Sequence, residues 1–166
     1  MITAMNTGLE HIDWSSRDKV LIYGIGNVGR QDDGLGVRLI EKLEAAGLTD
    51  QVTLEANYQL NIEDALLMSN FDVVLFADAS REKLTEPYVV KEIGAAAEFS
   101  FTTHAMSAPA VVTLCEQLYG RRPRVFMLAM PGYEWDIAEQ LSPQAQQNLD
   151  QAFQMLMTQV QCMKSH

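Results

Sequence analysis

The chain alternates between short apolar runs rich in branched residues and longer stretches whose apolar positions recur every three or four residues. These are the periodicities of strands and of helices. Residues 19–25 read as a buried strand that leads into a glycine loop and then a helix. In that helix Leu35, Leu39 and Leu43 recur with Ile40 beside them, while Arg38, Glu41, Lys42 and Glu44 take the polar positions. Gly47 is placed to end it. Residues 51–56 predict a second strand, and residues 61–69 a short helix with Ile62, Ala65 and Leu66 inward. The apolar run within 72–77 has the pattern of a strand covered on both faces. Only residues 79–87 separate it from the next strand, 88–93. A parallel crossover needs a dozen or more residues, so that strand is expected to be antiparallel and at an edge. Ser107 caps a helix with Pro109 in its first turn, Val111, Cys115 and Leu118 inward, and Gly120 past its end. Residues 124–129 are the last strand. Ser142 and Pro143 then open a final helix whose inward face is Ala145, Leu149, Ala152, Phe153, Leu156 and Val160; Met155, Met157 and Met163 serve as adaptable core filling.

Strands alternating with helices predict an α/β three-layer sandwich: a mostly parallel, five-stranded twisted sheet with one antiparallel edge strand and helices on both faces. Residues 1–18 read as an N-terminal extension and 19–166 as a single domain. A chain of 166 residues can bury about 68 to 70% of its unfolded surface.

Charge narrows the function. A net charge of −10 argues against nucleic acid and anionic membrane, which are recognised by clustered Lys and Arg. The basic cluster Arg121, Arg122 and Arg124 reads as a solvated turn before a strand. No stretch approaches the ~20 apolar residues of a transmembrane helix, and residues 1–18 do not resemble a signal peptide. Cys115 and Cys162 are too far apart to suggest zinc or a redox pair. A cytoplasmic protein with reduced thiols is expected.

The candidate chemistry begins at Gly24, Gly26 and Gly29, which satisfy the bare dinucleotide-loop spacing. Asp32 and Asp33 oppose that reading. A carboxylate about 4 to 5 Å from a phosphate repels it by roughly 3 to 4 kcal/mol at an effective dielectric of about 20, against about 0.3 to 1 kcal/mol offered by the helix dipole. Two acids at the helix mouth point to a cation, with the glycines serving a close turn and both aspartates facing a cleft; the bland alternative is a helix cap. Asp78 follows five apolar residues at the carboxyl end of a central strand, where open α/β sheets place ligands. His104 lies in a loop just ahead of a helix, as a ligand or as an ordinary loop residue. The loop Tyr133-Glu134-Trp135-Asp136 reads as a substrate wall or as surface packing. Asp33, Asp78 and His104 share one rim of the predicted sheet, a donor set suited to a borderline divalent cation. The motifs of serine hydrolases, zincins and P-loop proteins are absent from the sequence.

Taken together, Gly24-Ile25-Gly26-Asn27, Asp32-Asp33-Gly34-Leu35-Gly36, Phe76-Ala77-Asp78-Ala79, His104 with Ser107-Ala108-Pro109, and Leu141-Ser142-Pro143 resemble the nickel-iron hydrogenase maturation proteases over about residues 19–160. The resemblance implies an endopeptidase that removes a short C-terminal peptide from a hydrogenase large-subunit precursor after nickel insertion. It implies nickel, supplied by the substrate, contacted by Asp33, Asp78 and His104, with Asp78 and Asp33 as the catalytic residues and Asp78 the chosen general base. Some family members carry Glu at the position of Asp33. No nucleotide cofactor is implied. Two other readings stay open: a non-catalytic nickel carrier that docks on the precursor, and a Rossmann-type oxidoreductase with Glu55 as the ribose-binding acid. Glu55 falls 31 residues beyond Gly24, later than the usual ~20 after the motif.

Overall fold

The computed structural model describes Leu9, Ile12 and residues 18–50, 52–94 and 106–164. Its elements in chain order are β1 (Val20–Ile25), α1 (Leu35–Ala45), β2 (Thr53–Asn57), α2 (Glu63–Met68), β3 (Val73–Ser80), β4 (Val89–Ile93), α3 (Ala108–Tyr119), β5 (Arg124–Pro131) and α4 (Pro143–Lys164). The strands form one sheet in the order β2-β1-β3-β5-β4. β1 runs parallel to β2 and to β3, and β3 parallel to β5, whereas β4 pairs antiparallel with β5 at the edge.

Alternation along the central strands divides the core in two. Val20, Ile22, Val73, Leu75, Ala77, Phe126 and Leu128 pack with the apolar stripes of α1 and α4. Leu21, Tyr23, Val74, Phe76 and Val125 face α2 and α3. The result is the expected three-layer α/β sandwich. Each fully buried Leu or Ile on α1 contributes about 1.5 to 3 kcal/mol, so packing rather than helix propensity holds that element. No helix among the described residues is long and apolar enough to cross a membrane.

The helix ends follow the sequence signals. Ser107 accepts a hydrogen bond from the Ala110 amide, with Pro109 in the first turn of α3. Gly120 closes that helix in the left-handed region. Some residues expected to face inward do not. On α2 the inward residues are Asp64, Ala65 and Met68, while Ile62 and Leu66 are about half exposed. Six residues make fewer than two turns, too few for periodicity to fix a face, and the polar Asp64 was not a candidate for burial. Leu118 is likewise exposed, because it lies in the last turn of α3, beyond the span of its inward residues Val111 to Cys115. Phe153 is only partly buried.

α1 sits on the sheet with no side chain between them at one point. A Cβ on Gly36 would lie 2.2 Å from the Ala77 carbonyl oxygen and 2.5 Å from that of Ile25. Gly36→Ala must therefore push the helix off β1 and β3. Overpacking of this kind costs about 1 to 3 kcal/mol, and each kcal/mol moves the melting temperature of a domain this size by about 2 to 4 °C. Thermal unfolding of Gly36→Ala is expected to begin several degrees lower; an unchanged melting temperature would contradict the close contact.

Candidate active site

β1 connects through α1 to one side of the sheet, and β3 leads away on the other side, so the carboxyl ends of these two neighbours form a topological switch point. Loops diverge there and leave a crevice. Asp33 arrives from the loop after β1 and Asp78 from the end of β3.

The glycine loop turns sharply into a short 3-10 turn, Gln31–Gly34. Gly26 has φ +148°, and a Cβ there would fall 1.9 Å from the Asp33 carbonyl oxygen. The room left by this glycine is taken by the chain's own backbone, which presses Asp33 toward the end of β1. The Asp33 carboxylate accepts a hydrogen bond from the Asn27 amide at 2.9 Å. Asn27 in turn accepts one from the Gly29 amide at 2.9 Å.

Asp33 and Asp78 line one cavity of about 610 Å³ with Ser80, Arg81, Glu82, Met127, Ala129 and Trp135. Asp78 accepts a hydrogen bond from the Ala79 amide at 2.8 Å. Burial pushes its carboxyl up to about 7; the Ala79 hydrogen bond works against this, and the neighbouring Asp33 charge adds to it. A carboxyl poised near neutrality is what a general base requires. Of the 133–136 loop, Trp135 lines this cavity, and the Arg81 guanidinium lies 4.0 Å from the centre of its ring.

Asp32 does not face the cleft. It is fully buried and accepts from the amides of Tyr133 (2.8 Å), Glu134 (3.0 Å) and Ser142 (2.8 Å) and from the Ser142 hydroxyl (2.6 Å). The expected pair of cleft-facing acids is thus one cleft acid and one clamp. The helix-cap alternative fails for both, because neither the 3-10 turn nor α1 has a side-chain cap. Further bonds tie the same two segments together: Gln31 and Asp32 donate their amides to the Ala138 and Glu134 carbonyls, and Ala138 donates to the Gly29 carbonyl. The loop carrying Trp135 is therefore sewn to the loop carrying Asp33.

His104 lies outside the described residues. Just after it, the Met106 amide donates to the Leu60 carbonyl, and Ser107 lines a cavity of about 690 Å³ that shares Ser80, Glu82, Met127 and Ala129 with the acid-lined one. Among the described residues no group of three or more His, Cys, Asp or Glu could hold a metal ion. Asp33 and Asp78 supply two carboxylates to one cavity, a partial donor set that fits a divalent cation whose remaining ligands come from elsewhere. Sequence reasoning overlooked Arg81. Its signal was its place three residues after Asp78, just past the end of β3.

No family model and no curated protein sequence matches the chain. Solved structures do share its fold. A [NiFe] hydrogenase maturation protease HycI from Thermococcus kodakarensis superposes with a TM-score of 0.73 at 18% identity, covering 93% of this chain and 99% of its own. The hydrogenase maturating endopeptidase HybD from E. coli gives 0.65 at 18% identity, covering 86% and 92%. A hydrogenase 2 maturation peptidase from a Thaumarchaeota archaeon gives 0.62 at 16%, covering 84% and 96%. At these identities the likeness establishes the fold: the chain has the architecture of the hydrogenase maturation proteases.

Proposed function

We propose that this protein is an endopeptidase that removes a short C-terminal peptide from the precursor of a nickel-iron hydrogenase large subunit once nickel has been inserted. The observation that carries this reading is the meeting of Asp33 and Asp78 in one cavity at the switch point of a fold shared with maturation proteases. Asp78 is the general base: its ionised carboxylate takes a proton from the attacking water as the C–O bond forms, and returns it to the amine as the C–N bond breaks. Asp33, braced by the Asn27 amide, raises the proton affinity of Asp78 through its charge. Nickel belongs to the substrate in this reading and marks the precursor as ready; Asp33, Asp78 and His104 contact it. No nucleotide takes part. Two features support that point: the acid beside the glycine loop, and the backbone that occupies the space at Gly26.

The test is to incubate the protein with nickel-loaded and metal-free precursor and weigh the products by mass spectrometry. Loaded precursor is expected to lose a C-terminal peptide and metal-free precursor to stay intact. Equal cutting of both would remove nickel from the reading. Binding of the loaded precursor without any cutting would replace the protease by a nickel carrier.

A further inference from the structure

Among the described residues the acid-lined cavity contains one cationic side chain, and its charge is not spent on the acids around it. Arg81 follows the last residue of β3 and lines the cavity with Asp33, Asp78 and Glu82, yet among the described residues it forms no ion pair with any of them. Its guanidinium is stacked on Trp135 instead. Stacking uses the flat face of the group and leaves the edge, with its N–H donors in a fixed fork, free to meet a planar acceptor.

The platform under Arg81 is held from behind. Trp135 packs against Gly132, where a Cβ would fall 2.7 Å from the indole ring. The flanking amides of Tyr133 and Glu134 are tied to the buried Asp32 carboxylate. A cation fixed in this way recognises a carboxylate with less entropy loss than a free arginine would. The carboxylates of Asp33, Asp78 and Glu82 would otherwise repel an anionic substrate, so an oriented guanidinium at their border separates peptides by charge.

We infer that Arg81, positioned by Trp135, is a specificity-determining residue that binds a carboxylate of the substrate peptide near the scissile bond. The inference rests on the endopeptidase reading and adds to it the chemical class of the residue recognised. Arg81 lies three residues beyond Asp78 on extended chain, about 10 Å along. An extended peptide crossing the cavity therefore presents the recognised Asp, Glu or terminal carboxylate within about three residues of the bond cut.

The experiment pairs the nickel-loaded precursor with a second version in which every Asp and Glu in that window is changed to Asn or Gln. Arg81→Ala, an exposed position whose loss leaves the core untouched, is expected to raise KM for the acidic precursor by about tenfold or more, the worth of a charge-assisted hydrogen bond, with kcat nearly unchanged. On the amide version the wild type and Arg81→Ala should be equal. Arg81→Glu should reverse the preference toward a precursor carrying Lys in the window. A precursor with no carboxylate in the window, or equal KM values for both versions, would overturn the inference and leave the endopeptidase reading standing. If no precursor is cut, a second measurement decides. Synthetic peptides of the precursor's C-terminal region, acidic and amidated, are titrated against the Trp14→Phe protein, whose remaining indole is Trp135. A shift in its emission that needs about tenfold more amidated than acidic peptide, and that vanishes in Arg81→Ala, supports the inference; identical titrations refute it.

Discussion

Replacing Asp78 by Asn is expected to abolish processing of the precursor while making the metal-free protein more heat-stable at pH 8. The catalytic half follows from the proposed role of Asp78 as general base: an amide of the same size cannot accept a proton from water, and a positioned base supplies about 10²- to 10⁴-fold. The stability half follows from burial. The folded protein holds the Asp78 proton up to about 7, whereas an unfolded chain releases it near ~3.9. Between those values the native state binds more protons than the unfolded state, so stability falls as pH rises. Above 7 the buried charge persists as a constant cost. Asn carries no such charge, so its melting temperature should exceed that of the wild type at pH 8 and converge with it near pH 4. Processing by the variant at the wild-type rate would show the acid cluster to be structural. A melting temperature lower at pH 8 than that of the wild type would contradict the burial argument.

The largest loss of stability is expected from Asp32→Ala. Its carboxylate receives three amides and one hydroxyl, and truncation leaves those donors without their acceptor. The Ser142 amide and hydroxyl are buried and each stranded buried donor costs about 1 to 3 kcal/mol, so the variant should lose at least about 2 kcal/mol, measurable as a fall in the denaturation midpoint. Asp32→Asn is a sharper probe, since its NH2 group must turn toward other N–H groups. The acid response has a defined sign. Burial alone would raise the Asp32 pKa, but the hydrogen bonds from Ser142, Tyr133 and Glu134 outweigh it and hold the carboxyl below its usual value. Its stabilising effect is therefore present above the unfolded pKa near ~3.9 and lost as pH falls through the lower folded value. The gap between wild type and Asp32→Asn should narrow below about pH 4. Denaturation curves that stay parallel down to that pH would argue against the clamp.

The parts of the site that were legible in the sequence are those written in local chemistry. The glycine loop with Asp33, and Asp78 after an apolar run, each announce a strand end within a few residues, and the sheet brings both to one crevice. The short gap before β4 was enough to fix its antiparallel sense, because chain length limits what a crossover can span. Asp32 shows the opposite case. Its partners lie about a hundred residues further on, and no spacing near Asp32 distinguishes a carboxylate that clamps from one that faces a ligand. Ser142 read as a helix cap and does serve the Ala145 amide, but its hydroxyl also donates to Asp32; a motif explains only the contact it was defined by. The misassigned face of α2 has another cause, a helix too short for its period to be read.

The bare backbone contact between Gly36 and Ala77 joins the helix that follows one aspartate to the residue that precedes the other. Asp33 and Asp78 stand 45 positions apart in the chain (78 − 33), and neither strand-loop unit presents both acids by itself. A half-made chain thus carries two carboxylates in water, without the burial that raises the proton affinity of Asp78 in the folded protein. The capacity to hydrolyse a peptide, on the reading proposed here, arises only with the seating of that helix on the sheet. Harmlessness during synthesis is then a property of the packing, and a chain that misfolds at this joint is silent and does not cut at random.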